Sequence, residues 1–189
     1  MKTFVVLGLL SVLTACATVE DTAVISYAAA PATQIPSARP VALGVNDSRT
    51  SDRNRISTKI NGYGAEMAAI RSSREVPDVV REAIAAELQA RGFPLDGAGT
   101  PVTVTIDRFY NQFHVGTFNG TAAGEVRLSV AVADRGGAKL FSGSFVGTSE
   151  TPIMLANGSN AADSVAKALR DACNKMFADP SFIGAITGR

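Results

Sequence analysis

Apolar and polar positions alternate most regularly in the second half of the chain. Val126, Leu128, Val130 and Val132 fall on one side and Glu125, Arg127, Ser129 and Ala131 on the other, the period-two pattern of a strand with one buried face. Residues 101–150 read as three consecutive antiparallel strands, joined at Asn119-Gly120 and at Asp134-Arg135-Gly136-Gly137. Asn-Gly is a hairpin signal because the tight primed turns need positive φ at both central residues. The first of these strands starts with Val102, Val104 and Ile106 in one phase, but its later apolar residues are Phe109, Phe113 and Val115. A phase change near Asp107 and Arg108 predicts a β-bulge or sharp bend, since a one-residue slip otherwise turns the second half inside out.

Elsewhere the period lengthens. Pro77 in a first turn, Glu75 and Asp78 near the positive end of the dipole, and Gly92 after Arg91 predict a helix of about four turns. Its inner face is Val80, Ala83, Ile84 and Leu88, with Arg81, Glu82, Glu87, Gln89 and Arg91 on or near the wet side. A last helix is expected from about Ala161 to Ala178, capped by Asn160 and closed before Pro180. Val165, Leu169, Ala172, Met176 and Phe177 form its buried stripe. Before the first helix, Val41, Leu43 and Val45 make a strand ending at Asn46-Asp47-Ser48. The polar run from Arg49 to Gly64 is a long loop or an open hairpin. Residues 65–72 are placed as a strand, and a short β-type run occupies Ala23 to Tyr27. The order of elements predicts an α+β domain, an antiparallel sheet of about four to six strands with two helices packed on one face.

The opening residues belong to a different physical regime. Lys2, an apolar run from Phe4 to Leu13, and Leu13-Thr14-Ala15-Cys16 follow one another. About ten apolar residues fall far short of the roughly 20 that span a bilayer, so the run is an export address and not a transmembrane helix. The Leu-Thr-Ala-Cys quartet resembles the lipobox of bacterial lipoproteins. That likeness implies cleavage between Ala15 and Cys16, a diacylglycerol on the Cys16 thiol and an acyl chain such as palmitate on the new amino terminus. Several chains on one residue anchor far more firmly than one, at about 0.8 kcal/mol per buried CH₂. The residue after Cys16 is Ala17 and not Asp, which by the same likeness implies sorting to the outer membrane's periplasmic face. The expected organisation is a signal peptide (1–15), a lipidated cysteine with a tether and first short strand (16–40), and one α+β domain (41–189).

Charge narrows the partners. The chain has 18 basic and 17 acidic residues, and loss of Lys2 with the leader balances them, which excludes the basic surplus that nucleic-acid binding needs. With Cys16 lipidated, Cys173 has no intramolecular partner and no disulfide framework exists. Its place on the last helix's apolar stripe makes it a buried hydrophobe, the alternative being a reactive thiol. His114 is the only histidine, so a His-rich metal site is impossible; it stands near a strand end with no nucleophile motif. No metal or cofactor is expected, and no catalytic set. The patch with most promise is Arg49, Arg53, Arg55 and Lys59, whose cations suit carboxylates and phosphates. Tyr63, between Gly62 and Gly64, is either an exposed aromatic anchor or packed back on the sheet.

Asp47-Ser48-Arg49, Ser57-Thr58-Lys59, Asn61-Gly62-Tyr63-Gly64 with Glu66-Met67-Ala68, and Glu87-Leu88 with Arg91-Gly92-Phe93 together resemble the YajG-type lipoproteins of Gram-negative bacteria, over roughly residues 20–180. The resemblance implies an outer-membrane envelope lipoprotein with an α+β domain and no established catalytic residues. The general plan is also similar, at the level of fold alone, to LptE-like auxiliary lipoproteins. The expected role is that of a non-enzymatic interaction or assembly factor, partnered by the membrane through its lipid and by other envelope proteins. The alternative is a carrier of a lipid, glycan or peptidoglycan fragment in a cleft between sheet and helices.

Overall fold

Val102 to Ile106 and Phe109 to Phe113 both point inward along one continuous strand, because a register shift between Ile106 and Arg108 absorbs one residue. The computed structural model describes residues 18–116 and 119–188. Its elements in chain order are β1 (Asp21–Ala23), β2 (Val41–Asp47), β3 (Arg55–Ile60), β4 (Glu66–Ser72), α1 (Val76–Ala90), β5 (Thr100–His114), β6 (Gly120–Ala133), β7 (Lys139–Ile153), α2 (Gly158–Ala178) and α3 (Pro180–Thr187). The class is α+β, as the patterning implies. The strands divide between two mixed sheets, however, β1-β4-β3 and β2-β5-β6-β7, where one antiparallel sheet was expected. The β2–β5 pair is parallel, as is β1–β4, and every other pair is antiparallel. Parallel neighbours need a long crossover, and the segment from β3 through α1 supplies it for β2 and β5.

The first strand is Asp21–Ala23, so Val24 to Tyr27 leave the sheet. Ile25 stays buried and Tyr27 reaches α1 instead. Asn157, not Asn160, caps α2: its side-chain oxygen accepts the Asn160 amide at 3.0 Å. Both asparagines are good caps. A tertiary bond decides between them, since the Gly158 amide donates to the Asp21 carboxylate at 2.8 Å and draws three more residues, most of a turn, into the helix. The chain does not stop at Pro180 either. Asp179 accepts from the amides of Ser181 (2.8 Å) and Phe182 (3.3 Å), and Pro180 fills the first turn of α3. Asp-Pro is a helix-opening pair, legible but masked by the stop it also makes. Phe182 then seats edge-on against Phe141, Phe145 and Phe177.

α2 crosses β5, β6 and β7 on their inner face, where Val126, Leu128, Val165, Leu169 and Met176 are fully buried. Small residues set the spacing. Gly124 and Gly147 lie under Ser164, Ala168 and Ala172, and the Ser149 hydroxyl donates to the Ser164 carbonyl at 2.8 Å. At its far side α2 also covers the outer edge of β7. The Thr148 amide donates to Asp171 (2.9 Å), and Lys175 donates to the Val146 carbonyl (2.8 Å) while pairing with Asp171 (2.7 Å). Burial raises the Asp171 carboxyl pKa, but Lys175 and the Thr148 amide outweigh it and hold the group below the usual carboxylate range. These side chains occupy an edge that would otherwise be open to strand pairing.

Candidate functional site

Arg49 is a clasp, not a free cation. Its guanidinium forms a two-pronged pair with Asp47 (2.7 and 2.9 Å), reaches the Phe109 carbonyl at 3.4 Å and donates to the Arg53 carbonyl at 2.5 Å. Arg53 returns the bond, its Nε donating to the Arg49 carbonyl at 2.7 Å. The segment between β2 and β3 is thereby closed on itself beside the bulge of β5. At the bulge, Asp107 accepts from Ser48 (3.0 Å) and Ser129 (2.5 Å), and Arg108 pairs with Glu125 at 2.8 Å. A hollow of about 420 Å³ lies there, lined by Arg49, Asp52, Arg55, Asp107, Arg108 and Tyr110. Its arginines are already neutralised by Asp47, Glu66 (3.8 Å from Arg55) and Glu125. Hydrogen bonds to charged groups are worth about 1.5–3 kcal/mol. Arg49→Ala is therefore expected to open this segment, with amides 50–54 exchanging with deuterium roughly tenfold faster or more. Unchanged protection would show the clasp to be idle.

The five residues singled out in the sequence do not form one patch. Arg49 and Arg53 stand in the segment ahead of β3, and Arg55 opens that strand and bonds Thr58 on it. Lys59 turns to the opposite side, donating to the Val19 carbonyl at 3.0 Å and lying 3.9 Å from Asp21. Tyr63 sits at the far end of β3, a strand length of about 20 Å away from Arg53. It is 97% exposed, which settles the choice left open by the sequence. Asn61 braces this turn, its side-chain oxygen accepting the amides of Tyr63 (2.9 Å) and Ala65 (3.0 Å) while Gly64 takes a φ of 81°.

Sequence reasoning missed the company Tyr63 keeps. Val115 and the pair Met154-Leu155 project from neighbouring loops and are half-exposed or more. Between these tips lies a cleft of about 310 Å³, lined among others by Ile60, Gly62, His114, Val115, Met154 and Leu155. The only available signal was Ile153-Met154-Leu155, an apolar run placed where a loop should begin. His114 is exposed at the end of β5, on the rim of this cleft.

A second polar group centres on one buried carboxylate. Glu87, expected on the wet side of α1, is buried, accepting from the Tyr27 hydroxyl at 2.6 Å and pairing with Arg91. Arg91 lies over the Phe177 ring, 4.2 Å from its centroid. Cys173 is buried in the same cluster. Burial pushes its thiol up to about 12, and burial, with Cys173 and Glu87 beside it, raises the Tyr27 hydroxyl as well. A thiol held protonated at neutral pH is no nucleophile. Among the described residues no three His, Cys, Asp or Glu side chains gather as metal ligands, and no helix is long and apolar enough to cross a membrane. The leader, Ala15 and Cys16 lie outside the described residues.

The model of an uncharacterized lipoprotein family, Lipoprotein_16, matches residues 26–187. The chain belongs to this lipoprotein family. The match runs from just before Tyr27 to the end of α3, so the family domain includes the C-terminal helix. None of the curated proteins matches the chain. Among solved structures, protein XCC0632 from Xanthomonas campestris superposes with a TM-score of 0.59 at 14% identity, covering 90% of this chain and 96% of its own. That likeness is one of fold. Lipoprotein GNA1162 from Neisseria meningitidis aligns at 12% identity with a TM-score of 0.33, covering 60% of this chain and 84% of its own.

Proposed function

We propose that this lipoprotein is held at the outer membrane by acyl chains on Cys16, faces the periplasm, and serves without catalysis as an interaction or assembly factor of the YajG type. The observation that carries the proposal is the Leu-Thr-Ala-Cys quartet standing directly ahead of the folded body of a lipoprotein-family chain. β1 opens at Asp21, five residues after Cys16. Ala17 in place of Asp supports the outer rather than the inner membrane. Two features support a role without catalysis: Cys173 is sealed in the core, and the cleft beside His114 is lined by neutral residues. The carrier alternative is less supported on the α2 side, where Val126, Leu128, Val165 and Leu169 fill the space between sheet and helix; its remaining room is an open hollow of about 610 Å³ between β2 and α1, lined by Leu43, Arg81, Ala85 and Leu95 among others. A partner would read the outer surface, where Arg53 and the neighbouring polar hollow are accessible.

Cys16→Ser separates these possibilities. In cells, the wild type is expected in the outer-membrane fraction with its processing blocked by globomycin, whereas the variant accumulates as an unlipidated precursor. A variant processed normally and found in the same fraction would remove the anchor from the proposal. A photo-crosslinker at Arg53 in the anchored protein is expected to trap a discrete envelope protein, and lipid or glycan adducts alone would favour the carrier.

A further inference from the structure

The three loops that end in Tyr63, in Val115 and in Met154-Leu155 converge on one end of the molecule. They are exposed by 97%, 50%, 83% and 68% in the order Tyr63, Val115, Met154, Leu155. Gly64 stands beside Val115, where a Cβ would lie 3.6 Å from the Val115 side chain, and the cleft between the loops is lined by Gly62, Val115, Met154 and Leu155 together. The described residues of these loops, 61–65, 115–116, 119 and 154–157, carry no formal charge. The opposite end of the four-stranded sheet closes on Asp134, Arg135 and Lys139. Contiguous exposed apolar tips on a folded body mark a contact surface.

The position of the amino terminus says what that surface meets. β1 runs parallel to β4, with Asp21 beside Ile70. β4 begins at Glu66, just after the turn that carries Tyr63. Followed backwards from Asp21, the chain therefore travels along β4 towards that turn. Val19 is fastened by Lys59, and Thr18 lines the same hollow as Glu66 and Met67. The loop bearing Met154 and Leu155 is tied to β1, since the Gly158 amide that follows it donates to Asp21. Cys16 is two residues before Thr18, a reach of at most about 7 Å.

We infer that the apolar end formed by Tyr63, Val115, Met154 and Leu155 dips into the bilayer that holds the acyl chains of Cys16, fixing the domain upright on the membrane. The inference rests on the proposed lipid anchor and adds an orientation to it. A tyrosine at the tip suits the depth of the lipid headgroups, where amphipathic rings concentrate. The apolar side chains beside it reach the acyl boundary. Because the tips are uncharged, the contact calls for no anionic lipid and resists salt. Asn61 holds the Tyr63 turn in shape, so no ordering is required on insertion.

The chain contains no tryptophan, which makes a single introduced indole an unambiguous reporter. The lipidated Tyr63→Trp protein is reconstituted into phosphatidylethanolamine and phosphatidylcholine vesicles, with Leu155→Trp as a second probe and Arg135→Trp at the far end as reference. Flotation with the vesicles reads the anchor. Quenching by lipids carrying a doxyl label near the headgroup, against quenching by aqueous acrylamide, reads the orientation. Indoles at 63 and 155 are expected to emit to the blue, to lose most of their emission to the doxyl lipid and to be shielded from acrylamide. The indole at 135 is expected to behave as in water. If the protein floats and all three positions are quenched only by acrylamide, the orientation is wrong while the anchor stands. Shielding from acrylamide without doxyl quenching means that a second copy or another protein covers the tip, which also overturns the inference. A protein that does not float with the vesicles overturns both.

Discussion

Gly147→Ala is expected to destabilise the domain by about 3 kcal/mol or more, although the change adds one methyl group. Gly147 lies on β7 directly beneath α2, and a Cβ there would press into the Ala168 carbonyl oxygen and the Ala172 amide nitrogen, with the Ala172 Cβ at 2.9 Å. Those are helix backbone atoms and cannot rotate aside. The only relief is for α2 to lift from the sheet, which opens gaps around Val165, Leu169 and Met176, all fully buried now. Overpacking a well-filled core costs about 1–3 kcal/mol and occasionally more, and a gap of an ångström forfeits a quarter to a half of each contact's attraction. Against a total stability of roughly 5–15 kcal/mol, the Tm should fall by roughly 6–12 °C. Gly97→Ala is the comparison. Nothing lies within 4 Å of a Cβ at that position, so its effect is expected below about 1 kcal/mol and in the stabilising direction. If the two variants melt together, the close seating of α2 on β7 is wrong.

Glu87→Ala is the second large effect, and its cause is electrostatic. The side chain is only 2% exposed and its partner Arg91 15%, so removing the carboxylate strands a guanidinium against Phe177 and leaves the Tyr27 hydroxyl without its acceptor. Breaking a buried pair from one side costs about 3–5 kcal/mol, whereas replacing both members with apolar residues is often neutral. The double variant Glu87→Leu with Arg91→Met is therefore expected to recover most of what Glu87→Ala loses in denaturant unfolding. Glu82→Ala, five residues before Glu87, removes an exposed partner of Arg74 and is expected to leave the midpoint where it was. A Glu87→Ala protein as stable as wild type would show that this interior cluster contributes nothing to the fold.

The candidate site was legible in pieces. Tyr63 declared itself through its flanking glycines, and Arg49 through the company of Asp47 and Ser48. Their separation was not legible, because it depends on β3 forming a six-residue strand between them. β3 itself is Arg-Ile-Ser-Thr-Lys-Ile, polar in composition, yet Ile56, Ser57 and Thr58 are all buried. Ser57 and Thr58 can be inside because β5 supplies partners: the Ser57 hydroxyl donates to the Asn111 carbonyl at 2.8 Å, and Thr58 meets the Tyr110 hydroxyl at 2.8 Å. No pattern along β3 announces those bonds. Val115 and Met154 likewise look unremarkable alone and acquire meaning only beside Tyr63.

Local chemistry determined what depends on neighbours a few residues apart. The period of Val126 to Val132, the bulge after Ile106 and the apolar faces of α1 and α2 follow from spacing, since each is set by backbone geometry within one element. The tight turn expected at Asn119-Gly120 does not form there: Gly120 already pairs with Ile153 as the first residue of β6 and takes no positive φ. The partition into two mixed sheets, the burial of Glu87, the choice of Asn157 over Asn160 and the gathering of apolar tips at one end belong to the tertiary structure alone. Each of these rests on a contact between residues tens of positions apart, such as Tyr27 with Glu87 or Asp21 with Gly158. The free energy that selects them exists only once both elements are in place.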